Sequence, residues 1–100
     1  MNYFSHDEGT ARNFSLEGRL EYGDYPDSSL VLDALKSEKV SEVVIDLSEL
    51  EFMDSTGVGM LIGLNQSAGE NGKTMVLRGA SGAIKKLIEA FQLNTLFEVR

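Results

Sequence analysis

The chain has 100 residues, 42% hydrophobic and 25% charged, which is typical of one globular domain spanning residues 1–100. It contains no cysteine, which excludes disulfides, thiolate nucleophiles and thiolate metal sites. A formal net charge of -7 argues against nucleic acid as a ligand, because phosphate-binding surfaces need clustered lysine and arginine. The charge favours a basic protein partner instead.

No apolar run approaches the roughly 18 to 20 residues of a membrane-spanning helix. The N-terminal residues, which include His6, Asp7 and Glu8, also lack the basic-then-apolar pattern of a signal peptide. We therefore expect a cytoplasmic protein that contacts no membrane.

The first part of the chain predicts two strands and a short helix. A strand is expected at residues 3–6, and a second at residues 14–20, where apolar and polar side chains alternate with a period of two. After a polar bend, residues 27–36 carry apolar side chains on one side, as in a helix capped by Asp27 or Ser28.

The second part alternates strands with helices. Residues 43–47 are apolar except for Asp46, which is typical of a parallel strand covered on both faces. Residues 55–69 predict a helix in which Gly59 and Gly63 leave a flat stripe for close packing. Residues 74–78 predict a buried strand, residues 82–91 a helix capped by Ser81, and residues 96–99 a last strand. The expected fold is α/β, a mostly parallel sheet of four to five strands with an antiparallel N-terminal strand and packed helices.

The most informative motif is Phe-Met-Asp-Ser-Thr-Gly-Val-Gly at residues 52–59, between the central strand and the helix. Strand ends of an open α/β sheet are where functional groups lie. One N-cap suffices for a helix, yet Asp54, Ser55 and Thr56 are all candidates. Gly57 removes bulk beside the hydroxyls. We interpret the motif as a docking surface around a modifiable hydroxyl, where phosphorylation would add about -1.5 to -2 charges.

Two other functions stay open at this point. The helix N-terminus can bind an anion or nucleotide without covalent change, or Ser55 can simply cap the helix of a constitutive scaffold. Catalysis is disfavoured, because His6 is the only histidine and the serine lacks the Gly-x-Ser-x-Gly setting of hydrolases. We expect a protein that is not an enzyme, with no metal and no cofactor.

The motif at residues 52–59, together with residues 45–48, 73–77 and 84–87, closely resembles the STAS domains of bacterial anti-sigma factor antagonists over about residues 14–99. This resemblance implies a STAS-like fold and a phosphorylation switch. It makes Ser55 the acceptor of phosphate from an anti-sigma-type serine kinase, removed by a serine phosphatase, with the unmodified form binding the partner. The expected binding residues are Met53, Asp54, Thr56, Gly57, Val58 and Glu21.

Two features depart from the family pattern. The family usually has aspartate where this chain has Glu21. It also usually has a further helix after the last strand, and without that helix we expect exposed apolar surface and weak self-association.

Overall fold

The computed structural model describes residues 2–20 and 29–100. Within them, five strands and three helices follow one another in the alternating order that the sequence predicts. The strands are β1 (Asn2–Glu8), β2 (Ala11–Leu20), β3 (Glu42–Met53), β4 (Thr74–Arg78) and β5 (Glu98–Val99). The helices are α1 (Ser29–Lys36), α2 (Ser55–Glu70) and α3 (Gly82–Ala90), and a 3-10 turn at Leu93–Thr95 precedes β5.

The strands form one sheet in the order β1-β2-β3-β4-β5. β1 pairs antiparallel with β2, and every other neighbouring pair is parallel. The predicted α/β architecture is confirmed. Each helix connects two neighbouring parallel strands, and each connection moves the chain in the same direction across the sheet. Because such connections are right-handed, α1, α2 and α3 all lie on one face of the sheet.

The hydrophobic core lies between that face and the helices. Alternate residues of β3 and β4 point into it, and each helix contributes apolar side chains to the same cluster. Its most deeply buried members include Leu35, Ile45, Leu47, Leu61 and Leu77. None of the helices within residues 29–100 is long and apolar enough to cross a membrane.

The other face of the sheet, here called the open face, is polar. It carries the buried side chains of Val44 and Val76, and around them ion pairs that link different strands. Arg78 Nη1 lies 3.2 Å from Asp46 Oδ2, and Arg100 Nη1 lies 3.4 Å from Glu42 Oε1. These pairs tie the ends of β4 and β5 to β3.

The middle strand is longer than predicted. The apolar run ends at Leu47, but β3 continues to Met53 because β2 pairs with it up to Leu20 and Met53. Two register shifts in this pairing insert extra residues into β3, so its buried positions after Leu47 recur every third residue, at Leu50 and Met53. β5, in contrast, has two residues, because the N–H groups of Leu96 and Phe97 donate to the carbonyl of Leu93 in the 3-10 turn instead of pairing with a strand.

Three local expectations are wrong or lie outside the described residues. Gly59 and Gly63 are exposed, and a Cβ at either would meet nothing within 4 Å in the described part of the chain, so neither glycine is needed for close packing there. Ser81 is the N-cap of α3, but its side chain makes no capping hydrogen bond. The predicted helix caps at Asp27 and Ser28 lie outside the described residues.

Candidate functional site

The site forms where β3 ends at Met53 and α2 begins at Ser55. Asp54 alone joins the two elements, and its backbone N–H donates to the carbonyl of Leu20 at 3.2 Å. The junction is therefore fixed to the ends of both central strands. It lies at the carboxyl edge of the parallel strands, where open α/β sheets bind their ligands.

Asp54 caps the helix. Its backbone is extended, with φ -92° and ψ -179°, and its Oδ1 accepts a hydrogen bond of 2.7 Å from the N–H of Gly57. Its carbonyl accepts from the N–H of Val58 at 3.0 Å. The side chain of Asp54 thus satisfies one of the N–H groups that the first turn of a helix leaves unpaired, and its carbonyl accepts the first hydrogen bond within the helix.

Ser55 and Thr56 occupy the first two helical positions, and both are exposed. Within residues 2–20 and 29–100, neither hydroxyl makes a hydrogen bond. The alternative in which Ser55 merely caps the helix is wrong, because Asp54 has that role. The Ser55 hydroxyl is left open to solvent at a rigid position.

Gly57 is required by the close approach of α2 to the strands. It is buried, and a Cβ there would collide with the carbonyl oxygen of Leu20 and lie 2.9 Å from Cγ of Met53. The backbone oxygen cannot rotate away as a side chain can. A glycine at this position lets the first turn of α2 rest against the end of β2.

Met53 and Val58 were expected on the binding surface, but the structure places them in the core, where they are 1% and 2% exposed. Their side chains pack in the hydrophobic core next to the junction. The expected binding residue Glu21 lies outside the described residues.

The exposed apolar side chain beside the junction is Phe52, which is 37% exposed. The guanidinium carbon of Arg19 lies 4.1 Å from the centroid of its ring, a cation–π contact. The sequence motif includes Phe52, but sequence reasoning did not find Arg19. The pairing register of β2 with β3, which the sequence does not show, brings the two residues opposite each other.

The stretch of sequence that contains the junction is acidic. Residues 41–72 contain six carboxylates, at positions 42, 46, 49, 51, 54 and 70, and no lysine or arginine. Burial raises the pKa of Asp46, but hydrogen bonds from Ser48 and the charge of Arg78 outweigh this effect, so the pKa lies below its usual value. Asp46 is therefore a carboxylate at neutral pH.

Metal binding finds no support in the side chains. Over residues 2–20 and 29–100, no group of three or more histidine, cysteine, aspartate or glutamate residues is arranged to hold a metal ion. The chemistry available at the junction is that of an exposed serine hydroxyl beside a carboxylate.

Comparison with known proteins gives consistent matches. A family model described as Mlab, STAS domain matches residues 14–98, a range that includes the whole junction. An anti-sigma-B factor antagonist of Staphylococcus aureus is 28% identical over 82 residues, covering 82% of this chain and 76% of the relative. The corresponding protein of Staphylococcus epidermidis is 29% identical over the same length, with the same coverage.

Solved structures show the same fold. The anti-sigma factor antagonist SpoIIAA in its unphosphorylated form has a TM-score of 0.76 at 19% identity, covering 99% of this chain and 87% of that one. SpoIIAA of Bacillus in its phosphorylated form has a TM-score of 0.75 at 18% identity, covering 99% and 91%. An anti-sigma factor antagonist from Mycobacterium paratuberculosis has a TM-score of 0.82 at 20% identity, covering 98% and 83%.

Proposed function

Because this chain belongs to the STAS-domain family, we propose that it is a phosphorylation-switched, protein-binding regulator of the anti-sigma factor antagonist kind. The form with an unmodified Ser55 binds a partner that is both an anti-sigma-type protein and a serine kinase. Phosphorylation of Ser55 releases the partner, and a serine phosphatase reverses the modification. The chain acts as a single domain without catalysis of its own.

The observation that carries this proposal is the division of roles between Asp54 and Ser55. Asp54 uses its side chain to cap α2, with a hydrogen bond of 2.7 Å to Gly57. Ser55 is exposed, and among the described residues its hydroxyl makes no hydrogen bond that a kinase would have to break. A side chain that is accessible, chemically competent and dispensable for the fold is suited to reversible modification.

The fold should tolerate a phosphate at Ser55. The first turn of a helix carries partial positive charge, which favours an anion there. The phosphorylated side chain would project into solvent, so no desolvation is needed in the free protein. The modification therefore changes the surface and leaves the core intact.

A complex that buries the same surface should not tolerate it. Phosphoserine carries about -1.5 to -2 charges at neutral pH. At Ser55 these charges would lie beside the carboxylate of Asp54, and burial of such a group without compensating cations is costly. A kinase that holds a nucleotide beside Ser55 would also repel the new phosphate through the nucleotide's own phosphates. Both effects favour release.

Non-covalent anion sensing at the same helix terminus is less well supported. One of the N–H groups that the first turn leaves unpaired, that of Gly57, already donates to the carboxylate of Asp54. The carboxylate that occupies the helix terminus would repel a free anion. We therefore propose the covalent switch alone.

The test is the intact mass and site mapping of the protein purified from its native host with phosphatases inhibited. We expect one phosphate on Ser55, lost in the Ser55→Ala variant and retained in the matched Thr56→Ala variant. Absence of phosphate on Ser55 in all growth conditions, including those in which a partner is bound, would contradict the proposal.

A further inference from the structure

A row of four side chains runs along the open face towards the junction. It consists of Glu17 and Arg19 on β2 and of Glu49 and Phe52 on β3, and we call it the β2–β3 row. In the strand register, Glu17 lies opposite Glu49, and Arg19 lies opposite Phe52. Paired residues project from the same face of a sheet, so the four side chains form one continuous surface.

The row depends on the irregular pairing of the two strands. A register shift falls between Gly18 and Arg19, and Gly18 has a φ of +83°, a conformation that favours glycine. Bulges of this kind re-aim side chains near functional sites. Here the shift brings Arg19 over the ring of Phe52, with 4.1 Å between the guanidinium carbon and the ring centroid.

Glu17 and Glu49 form a like-charged pair. Carboxylates directly opposite each other on neighbouring strands repel, which lowers the stability of the sheet. Neither makes an ion pair or hydrogen bond within residues 2–20 and 29–100. The other end of the open face differs, because Asp46 and Glu42 are each matched by an arginine.

Phe52 and Arg19 are of the residue types that dominate binding energy in protein interfaces. Phe52 keeps 37% of its surface exposed, although it is next to the fully buried Met53. It also lies three positions before Ser55. An exposed aromatic ring and an arginine thus lie at the end of the row nearest the junction, and the two carboxylates lie at its other end.

We propose that the β2–β3 row is the anchor through which the partner of Ser55 docks. The partner takes the ring of Phe52 into an apolar pocket and places a lysine or arginine against Glu17 and Glu49. This inference rests on the proposed function, and it locates the main contacts on the sheet face rather than on α2. Phe52 lies between the two glutamates and Ser55. The partner's cations therefore balance the charge of the glutamates and not that of a phosphate on Ser55.

The test needs the partner itself. The protein captured from the native host by the wild-type chain, and not captured by Ser55→Asp, is identified by mass spectrometry and purified. Its affinity is then measured by titration calorimetry against the wild type, Phe52→Ala, Phe52→Tyr and Glu49→Lys. Phe91→Ala and Glu89→Lys are the matched controls, because both residues are exposed and lie in or directly after α3, on the opposite face of the sheet.

We expect Phe52→Ala and Glu49→Lys each to weaken binding about 10-fold or more. The effect of Glu49→Lys should shrink as salt rises, because surface charges are screened. Phe52→Tyr and the two controls should bind within about 2-fold of the wild type. Glu49→Lys should melt no lower than the wild type, because it removes a repulsion; loss of binding without loss of stability distinguishes docking from a structural role.

Two results would overturn the inference, and they differ. If Phe52→Ala and Glu49→Lys bind within about 2-fold of the wild type while Ser55→Asp still loses the partner, the row is not the anchor and the proposed function stands. If no protein distinguishes the wild type from Ser55→Asp, the proposed function fails and the anchor fails with it.

Discussion

Replacement of Gly57 by alanine tests the packing that positions the Ser55 hydroxyl. The added Cβ would collide with the carbonyl oxygen of Leu20 and lie 2.9 Å from Cγ of Met53. Met53 is 1% exposed and cannot move aside freely. The first turn of α2 must therefore shift away from the end of β2.

The expected size of the effect combines two opposing contributions. Overpacking of a tight site costs about 1–3 kcal/mol, and alanine gains about 1 kcal/mol over glycine in a helix. Because one of the colliding atoms belongs to the backbone, we expect the upper part of this range, a net loss of about 1 to 2 kcal/mol. In a domain of this size each kcal/mol lowers the melting temperature by about 4–8 °C.

Two glycines of the same helix provide matched controls. A Cβ at Gly59 or Gly63 meets nothing within 4 Å, so alanine should contribute its helix propensity there without a collision. Gly59→Ala and Gly63→Ala should each stabilise the protein by about 0.5–1 kcal/mol.

The assay is thermal and urea unfolding of the three variants, followed by circular dichroism. The reasoning predicts opposite signs for Gly57→Ala and for the two controls. A Gly57→Ala variant as stable as Gly59→Ala would show that α2 does not press against β2 at this point, and would refute the account of the junction.

Three further outcomes follow from the junction and the open face. Asp54→Ala should cost about 0.5–2 kcal/mol as a lost N-cap, while Ser55→Ala should change stability by less than about 0.5 kcal/mol; equal losses in urea unfolding would contradict the assignment of the cap to Asp54. Ser55→Asp should abolish partner binding in calorimetry while its melting temperature stays close to that of the wild type, and normal binding would argue against the switch. Asp46 has a pKa below its usual value, so its charge stabilises the fold above the unfolded-state pKa of about 4, and this contribution is lost as pH falls through the lower folded-state value. Asp46→Asn should accordingly be less stable than the wild type at pH 7 and approach it in the acid range; a difference that is constant with pH would exclude this ionisation as the cause.

The sequence by itself determined the α/β class and the position of the junction. The period-two alternation in β2 and the 3.6-residue period in α3 are local properties, set by which side chains can share one face of a strand or helix. The change from an apolar strand to Asp-Ser-Thr-Gly marks the strand-to-helix boundary for the same reason. These local patterns locate the junction, and the resemblance of its motif to STAS domains selects Ser55 as the candidate acceptor.

Which residue caps α2 was decided only by the tertiary structure. In the sequence Asp54, Ser55 and Thr56 are all of residue types that favour the N-cap position. The extended backbone of Asp54, fixed by its hydrogen bond of 3.2 Å to Leu20, places its carboxylate over Gly57 and leaves Ser55 exposed. The cap is thus assigned by a contact with a strand far away in the sequence.

The extra length of β3 and the β2–β3 row have the same origin. Both depend on the register between β2 and β3, including two shifts that no local pattern encodes. The sequence shows Arg19 and Phe52 as separate residues, whereas the register places one over the other. Strand pairing is a long-range interaction whose register follows from the packing of the whole sheet, so only the tertiary structure brings this surface together beside Ser55.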